Sequence, residues 1–179
     1  MPKTAGGTSQ GPEAERVLVS ACLAGRRCAY QGASNRPDGE RRVQIERLVA
    51  EGRAVLVCPE VDGGLGTPRL PAEIVGGDGH AVLDGRARVV AVDGTDVTEA
   101  YLRGAEIAVQ RARTGGACGA VLKARSPSCG LGAVYDGSFS KTLVAGDGVT
   151  AAALQRAGIP VITDEDLQHD KPKPFVRPR

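Results

Sequence analysis

Val17-Leu18-Val19-Ser20-Ala21-Cys22 and Ala54-Val55-Leu56-Val57-Cys58 are two short apolar runs, and each breaks into a turn at a cysteine. Between them, Arg41 to Gly52 sets Val43, Leu48 and Val49 among charges at helical spacing, with Gly52 placed to end the helix. Strand, helix, strand in that order is a βαβ unit, which requires a parallel pair and a right-handed crossover. The first strand is expected over 16–23, followed by a Gly-rich loop through Gly39, and the second over 53–58.

Working outward, residues 59–80 hold Pro59, Pro68, Pro71 and many glycines, so a long structured loop is expected with at most a short helix near 71–75. Residues 81–92 alternate around Asp84-Gly85 and predict a small hairpin. Asp96 with Glu99 makes a capping-box-like start, after which Tyr101, Leu102, Ala105, Ala108, Val109 and Ala112 form an apolar stripe running to Gly115. A strand over 118–124, a loop through Gly148, a helix over 149–157 and a strand over 160–163 complete the pattern. The expected class is α/β, a three-layer Rossmann-like sandwich with a mainly parallel sheet and no internal repeat.

The chain has 179 residues, enough for one domain with a real core. We expect a disordered N-terminal tail over 1–15, an α/β domain over 16–167 and a basic tail over 168–179. There are two Phe, three Tyr and no Trp, so Val, Leu, Ile and Ala must build the core. The net charge of +2 resides in the tails; Lys171, Lys173, Arg177 and Arg179 dominate the last segment and the body is neutral. A neutral body argues against a dedicated nucleic-acid surface. No apolar run approaches the ~18–20 residues that span a bilayer. Met1-Pro2-Lys3-Thr4-Ala5-Gly6-Gly7 lacks a signal peptide's apolar stretch, and a cytoplasmic location is expected. Five cysteines in that compartment read as metal-binding, catalytic or buried thiols before disulfides.

A third run, Ala120-Val121-Leu122, leads into Ser126-Pro127-Ser128-Cys129-Gly130. If the three runs are neighbouring parallel strands, Cys22, Cys58 and Cys129 meet at the carboxyl edge of one sheet, where open α/β sheets bind ligands. Three thiolates there suggest a metal or iron–sulfur site with one ligand position open. Turn sequence around each leaves backbone N–H groups for sulfur, a means of tuning iron–sulfur clusters. No C-x-x-C is present, which excludes a zinc ribbon or a ferredoxin run; zinc held by three Cys and a water stays open. Cys28 lies on the same edge and could close the site as a fourth ligand or leave it open. Cys118 begins its strand, roughly 20 Å from that edge at ~3.3 Å per residue, and reads as a plain thiol. Glu60 and Ser126 converge on the site, and a carboxylate beside a metal can position or deprotonate water. Gly146-Asp147-Gly148-Val149-Thr150 opens the last helix with N–H groups suited to a phosphate.

The series Val19-Ser20-Ala21-Cys22-Leu23-Ala24-Gly25, Cys58-Pro59-Glu60-Val61, Pro68-Arg69-Leu70-Pro71-Ala72-Glu73, Gly94-Thr95-Asp96-Val97-Thr98 and Lys123-Ala124-Arg125-Ser126-Pro127-Ser128-Cys129-Gly130 resembles the thiouracil desulfurase family. Tyr135-Asp136-Gly137-Ser138-Phe139 and Gly146 to Ala152 extend the likeness over about 16–166. The resemblance implies a [4Fe-4S] cluster on Cys22, Cys58 and Cys129 whose fourth iron takes the sulfur of a thiocarbonyl. It implies a non-redox desulfidase that converts a thiolated pyrimidine, thiouracil or 4-thiouridine monophosphate, to the oxo form. Glu60 and Ser126 would be the acid/base and positioning residues, and Ser128, Gly148, Val149 and Thr150 would bind substrate. One loop departs from the family pattern: Cys28-Ala29-Tyr30-Gln31-Gly32 stands where Cys-Arg-Tyr-Asp-Gly is usual, which bears on loop anchoring and substrate choice. A zinc hydrolase using the same cysteines, and a non-catalytic binder or sulfur carrier for thiolated nucleotides or tRNA, are the competing expectations.

Overall fold

The computed structural model describes residues 15–167; the expected tails lie outside the described residues, apart from Glu15. The first half contains β1 (Arg16–Ser20), α1 (Gly39–Ala50), β2 (Ala54–Val57), α2 (Pro59–Asp62), β3 (Ala72–Val75), α3 (Gly79–Leu83) and β4 (Arg88–Ala91). The second contains α4 (Thr98–Thr114), β5 (Ala117–Leu122), β6 (Ala133–Tyr135), β7 (Leu143–Ala145), α5 (Val149–Arg156), β8 (Val161–Thr163) and a single 3-10 turn at Asp164–Asp166.

Four strands form a parallel sheet in the order β2-β1-β5-β8. The runs are apolar at successive positions because both faces are covered. On one face Leu18, Ala120 and Leu122 meet Ala108 and Ala112 of α4 and Ala151 and Leu154 of α5. On the other Val17, Val19 and Val121 meet Ile45 of α1 together with Leu23 and Leu167. Helices on both faces give the expected three-layer α/β sandwich. The chain enters at β1, moves outward to β2, then returns across β1 to β5 and continues to β8. The direction of travel reverses between β1 and β5, which opens a crevice at their carboxyl ends.

The middle of the chain differs from its sequence reading. Ala72-Glu73-Ile74-Val75 is a strand rather than a short helix, pairing antiparallel with β4 and burying Glu73 and Ile74. The hairpin expected over 81–92 is replaced by α3 and β4. Asp78 starts α3 by accepting from the Ala81 amide at 3.1 Å, and Gly85 serves as the exit from that helix. The loop after β5 contains an antiparallel pair, β6 with β7, which carries no strong pattern of its own. At α4, Asp96 accepts from the Thr98 amide, while no side-chain cap completes the expected box.

Small residues let α4 press on the turn after β2. A Cβ on Gly104 would meet the Pro59 carbonyl oxygen at 1.9 Å, and one on Gly63 would meet the Ala100 carbonyl at 2.0 Å. The two backbones therefore touch, and α2 cannot be displaced without opening α4. Asp62 adds polar ties: it accepts from the Cys58 amide at 3.1 Å and pairs with Arg111 of α4 at 2.7 Å. Gly104→Ala should lower unfolding free energy by about 1–3 kcal/mol through this overpacking. Denaturant unfolding checks it; unchanged stability would contradict the close approach.

Candidate active site

Each of the three strand-end cysteines is delivered by a different element. Cys22 follows β1, Cys58 follows β2 as the residue preceding α2, and Cys129 sits in the loop after β5. All three line one cavity of about 520 Å³ at the carboxyl edge, and Glu60 and Ser126 line it too. Cys118 stands at the opposite edge, where its thiol donates to the Arg16 carbonyl at 3.3 Å. No disulfide joins the described cysteines.

The Ser126-to-Gly130 turn is built around one hydroxyl. Ser126 Oγ accepts from the amides of Ser128 and Cys129, each at 3.1 Å. A hydroxyl that accepts twice keeps its own proton to donate. Cys129 is almost fully buried, and its Sγ receives a hydrogen bond from Ser20 Oγ at 3.4 Å. Ser20 in turn accepts from the Lys123 amide at 3.1 Å, locking β1 and β5 together at the site. Burial pushes the Cys129 thiol up to about 12. Cys28 lies between two of the other thiols, hydrogen-bonded to Cys22 and Cys58; its contact with Cys22 is the main reason it is pushed up to about 11. The Cys58 thiol is raised as well, by that contact with Cys28 and by burial. Thiols that titrate this high bind metal with release of their protons.

The donor set and its geometry discriminate among metal groups. Soft thiolates select zinc, Cu(I) or iron–sulfur clusters. Cys22, Cys58 and Cys129, with Cys28 beside them, line one cavity, a thiol donor set that fits an iron–sulfur group.

Glu60 is held from two sides. Arg69 Nε donates to Glu60 Oε2 at 2.7 Å, and both side chains are largely buried. The Tyr101 hydroxyl, raised well above the usual phenol range by burial, hydrogen-bonds Glu60. Arg69 also donates to the Cys28 carbonyl at 3.1 Å, so one guanidinium ties the candidate base to the loop beside the cysteines. That loop is anchored by its backbone: Gly32 N to Ala29 O at 2.8 Å and Arg69 N to Tyr30 O at 2.7 Å. Gln31 lines the cavity.

The structure does not bring the remaining sequence candidates to the cavity. The amides of Gly148, Val149 and Thr150 bond the carbonyls of Gly130, Pro127 and Ser128 at 2.8, 2.9 and 2.8 Å, so the N–H groups expected for a phosphate are already used. A Cβ on Gly148 would meet the Ser128 carbonyl at 2.4 Å, so the Cys129 loop packs directly against this glycine. Ser128 is fully buried, its hydroxyl 2.9 Å from that of Thr150. These residues support the Cys129 loop from behind. Ser20, Arg69, Glu73 and Tyr101 are site residues missed by the sequence reading. Ser20 was detectable as a hydroxyl in an apolar run, and Arg69 and Glu73 as charges in a Pro-rich segment.

Three comparisons with known proteins agree. The family model described as 2-thiouracil desulfurase matches residues 17–166. The protein YbbK of Bacillus subtilis is 46% identical over 151 residues, covering 84% of this chain and 97% of its own. A solved structure of the [4Fe-4S]-dependent thiouracil desulfidase TudS superposes with a TM-score of 0.75 at 42% identity, covering 86% of this chain and 93% of that one. A family match over nearly all the described residues, with the cysteines gathered as its motifs anticipate, makes this chain a member of the 2-thiouracil desulfurase family.

Proposed function

We propose that this protein is a [4Fe-4S]-dependent desulfidase that hydrolyses the thiocarbonyl of a thiolated pyrimidine. The observation that carries the reading is the meeting of Cys22, Cys58 and Cys129 around one cavity that also holds Glu60 and Ser126. The likeness to TudS, a [4Fe-4S]-dependent thiouracil desulfidase, supports the same cofactor and substrate class. Cys22, Cys58 and Cys129 would hold the cluster, which supplies a Lewis-acidic iron for the substrate's sulfur.

The protein's own groups then have distinct tasks. Glu60, oriented by Arg69 and Tyr101, takes a proton from the attacking water. Ser126, whose oxygen is occupied by two amides, keeps its O–H as a hydrogen-bond donor toward the cavity and orients the substrate. The balance is that of a hydrolysis: a C–O bond forms, the C–S bond breaks, and both protons of the water leave with sulfur as hydrogen sulfide. No electron is exchanged. Thiouracil and 4-thiouridine monophosphate both carry the required group. No helix among the described residues is long and apolar enough to cross a membrane. We place the activity in a reducing cytoplasm, where unpaired thiols and a cluster persist.

Two predictions test this reading. Anaerobic protein should contain roughly four irons per chain and release sulfide from 2-thiouracil. Cys22→Ser, Cys58→Ser and Cys129→Ser should each lose the cluster, whereas Cys28→Ser should keep it. Iron loss in the Cys28 variant would make that residue a ligand and remove the open position. Tight thiopyrimidine binding without sulfide release would favour a carrier. Second, Glu60→Gln should retain iron and lower kcat by about 10²–10⁴-fold, the usual worth of a general base; near-normal kcat in single-turnover assays would remove Glu60 from that role.

A further inference from the structure

The loop over 136–142, joining β6 to β7, contributes Phe139 and Lys141 to the lining of the same cavity, beside Tyr135 of β6. Its backbone is unusual. Phe139 and Lys141 adopt φ of 59° and 64°, in the left-handed region that bulky side chains seldom enter. Such conformations persist where surrounding structure dictates them, and they cluster at ligand-contacting sites. Here the dictating group is Glu73 of β3. Its side chain is buried, and one carboxylate oxygen accepts from the amides of Gly137 at 2.9 Å and Phe139 at 3.0 Å. Gly137 approaches β3 so closely that a Cβ would meet the Ile74 carbonyl at 2.6 Å.

A buried carboxylate spent on two amides of an exposed loop does not build the sheet core. It holds the backbone of one cavity-lining residue, Phe139. Aromatic residues are scarce in this chain, with two Phe, three Tyr and no Trp, yet Tyr30, Tyr135 and Phe139 all line this cavity. Tyr30 is 49% exposed, and Phe139 alone of the three has its own amide held by a buried charge from another element. A flat heteroaromatic ring presents a π-face that stacks on such a side chain.

We propose that Glu73 is a positioning residue that holds the 136–142 loop so that Phe139 forms the stacking wall for the substrate's pyrimidine ring. The proposal rests on the thiopyrimidine reading of the site. It predicts that Phe139→Ala raises KM for 2-thiouracil about tenfold, the loss of one stacked base, with kcat changed much less, and that Phe139→Tyr restores KM. Glu73→Ala should raise KM similarly, because the wall is no longer held, while Glu73→Gln, which keeps an acceptor oxygen, should recover most of the affinity. Iron content and the thermal unfolding midpoint are measured alongside. Calorimetric binding of uracil to the cluster-loaded protein gives a readout apart from turnover, and the same tenfold weakening is expected in Phe139→Ala. Unchanged uracil affinity and KM in a folded, iron-loaded Phe139→Ala overturns the wall. An effect in Phe139→Ala without one in folded Glu73→Ala overturns the positioning role. Wild-type protein that binds uracil with this Phe139 dependence but releases no sulfide would sink the desulfidase reading and leave the ring-stacking wall standing.

Discussion

Parallel pairing of β1 with strands on both sides is the constraint on which the site depends. Ser20 stands opposite Val57 and Val19 opposite Val121, so all three strands end at one level. Cys22 and Cys58 follow within two residues of those ends, and Cys129 returns to the same edge through a turn pinned by Ser126. A one-residue slip in either pairing would turn every side chain of a strand to the opposite face and scatter the thiols. The two-sided apolar cover prevents it: Leu18 belongs to the α4/α5 side, Val17 and Val19 to the α1 side.

Around that framework the structure uses backbone contact and buried polar ties rather than bulk. With few aromatics, the helices approach on Ala and Gly, and α4 touches the turn after Cys58 atom to atom. Asp62 with Arg111, Ser20 with Cys129 and Glu60 with Arg69 each join residues distant in sequence at the cavity wall. The result is a set of thiols and a carboxylate held by groups outside the reacting centre, the condition for a preorganised site.

The sheet and the cysteine trio were legible because each rests on a local signal: an apolar run, a turn, a cysteine at the junction. Cys118 was separable from the others by length alone. What was not legible rests on contacts between distant segments. Ala72–Val75 carries too little pattern to distinguish strand from helix, and only its pairing with β4 decides it. The helix start at Gly148 read as an open anion site because sequence shows the amides and not the Ser128 loop that occupies them. Arg69 and Glu73 stood within a recognised motif, but their tasks became apparent only when Glu60 and the 136–142 loop were found beside them.

On the proposed reading, three thiols that leave one position open would let water replace sulfur without any exchange of electrons. Turnover of 2-thiouracil in heavy-oxygen water, without reductant and under argon, tests that chemistry most directly. The expected product is uracil carrying one solvent-derived oxygen for each sulfide released, over many turnovers. A requirement for a reductant, or product oxygen that does not come from water, would contradict it.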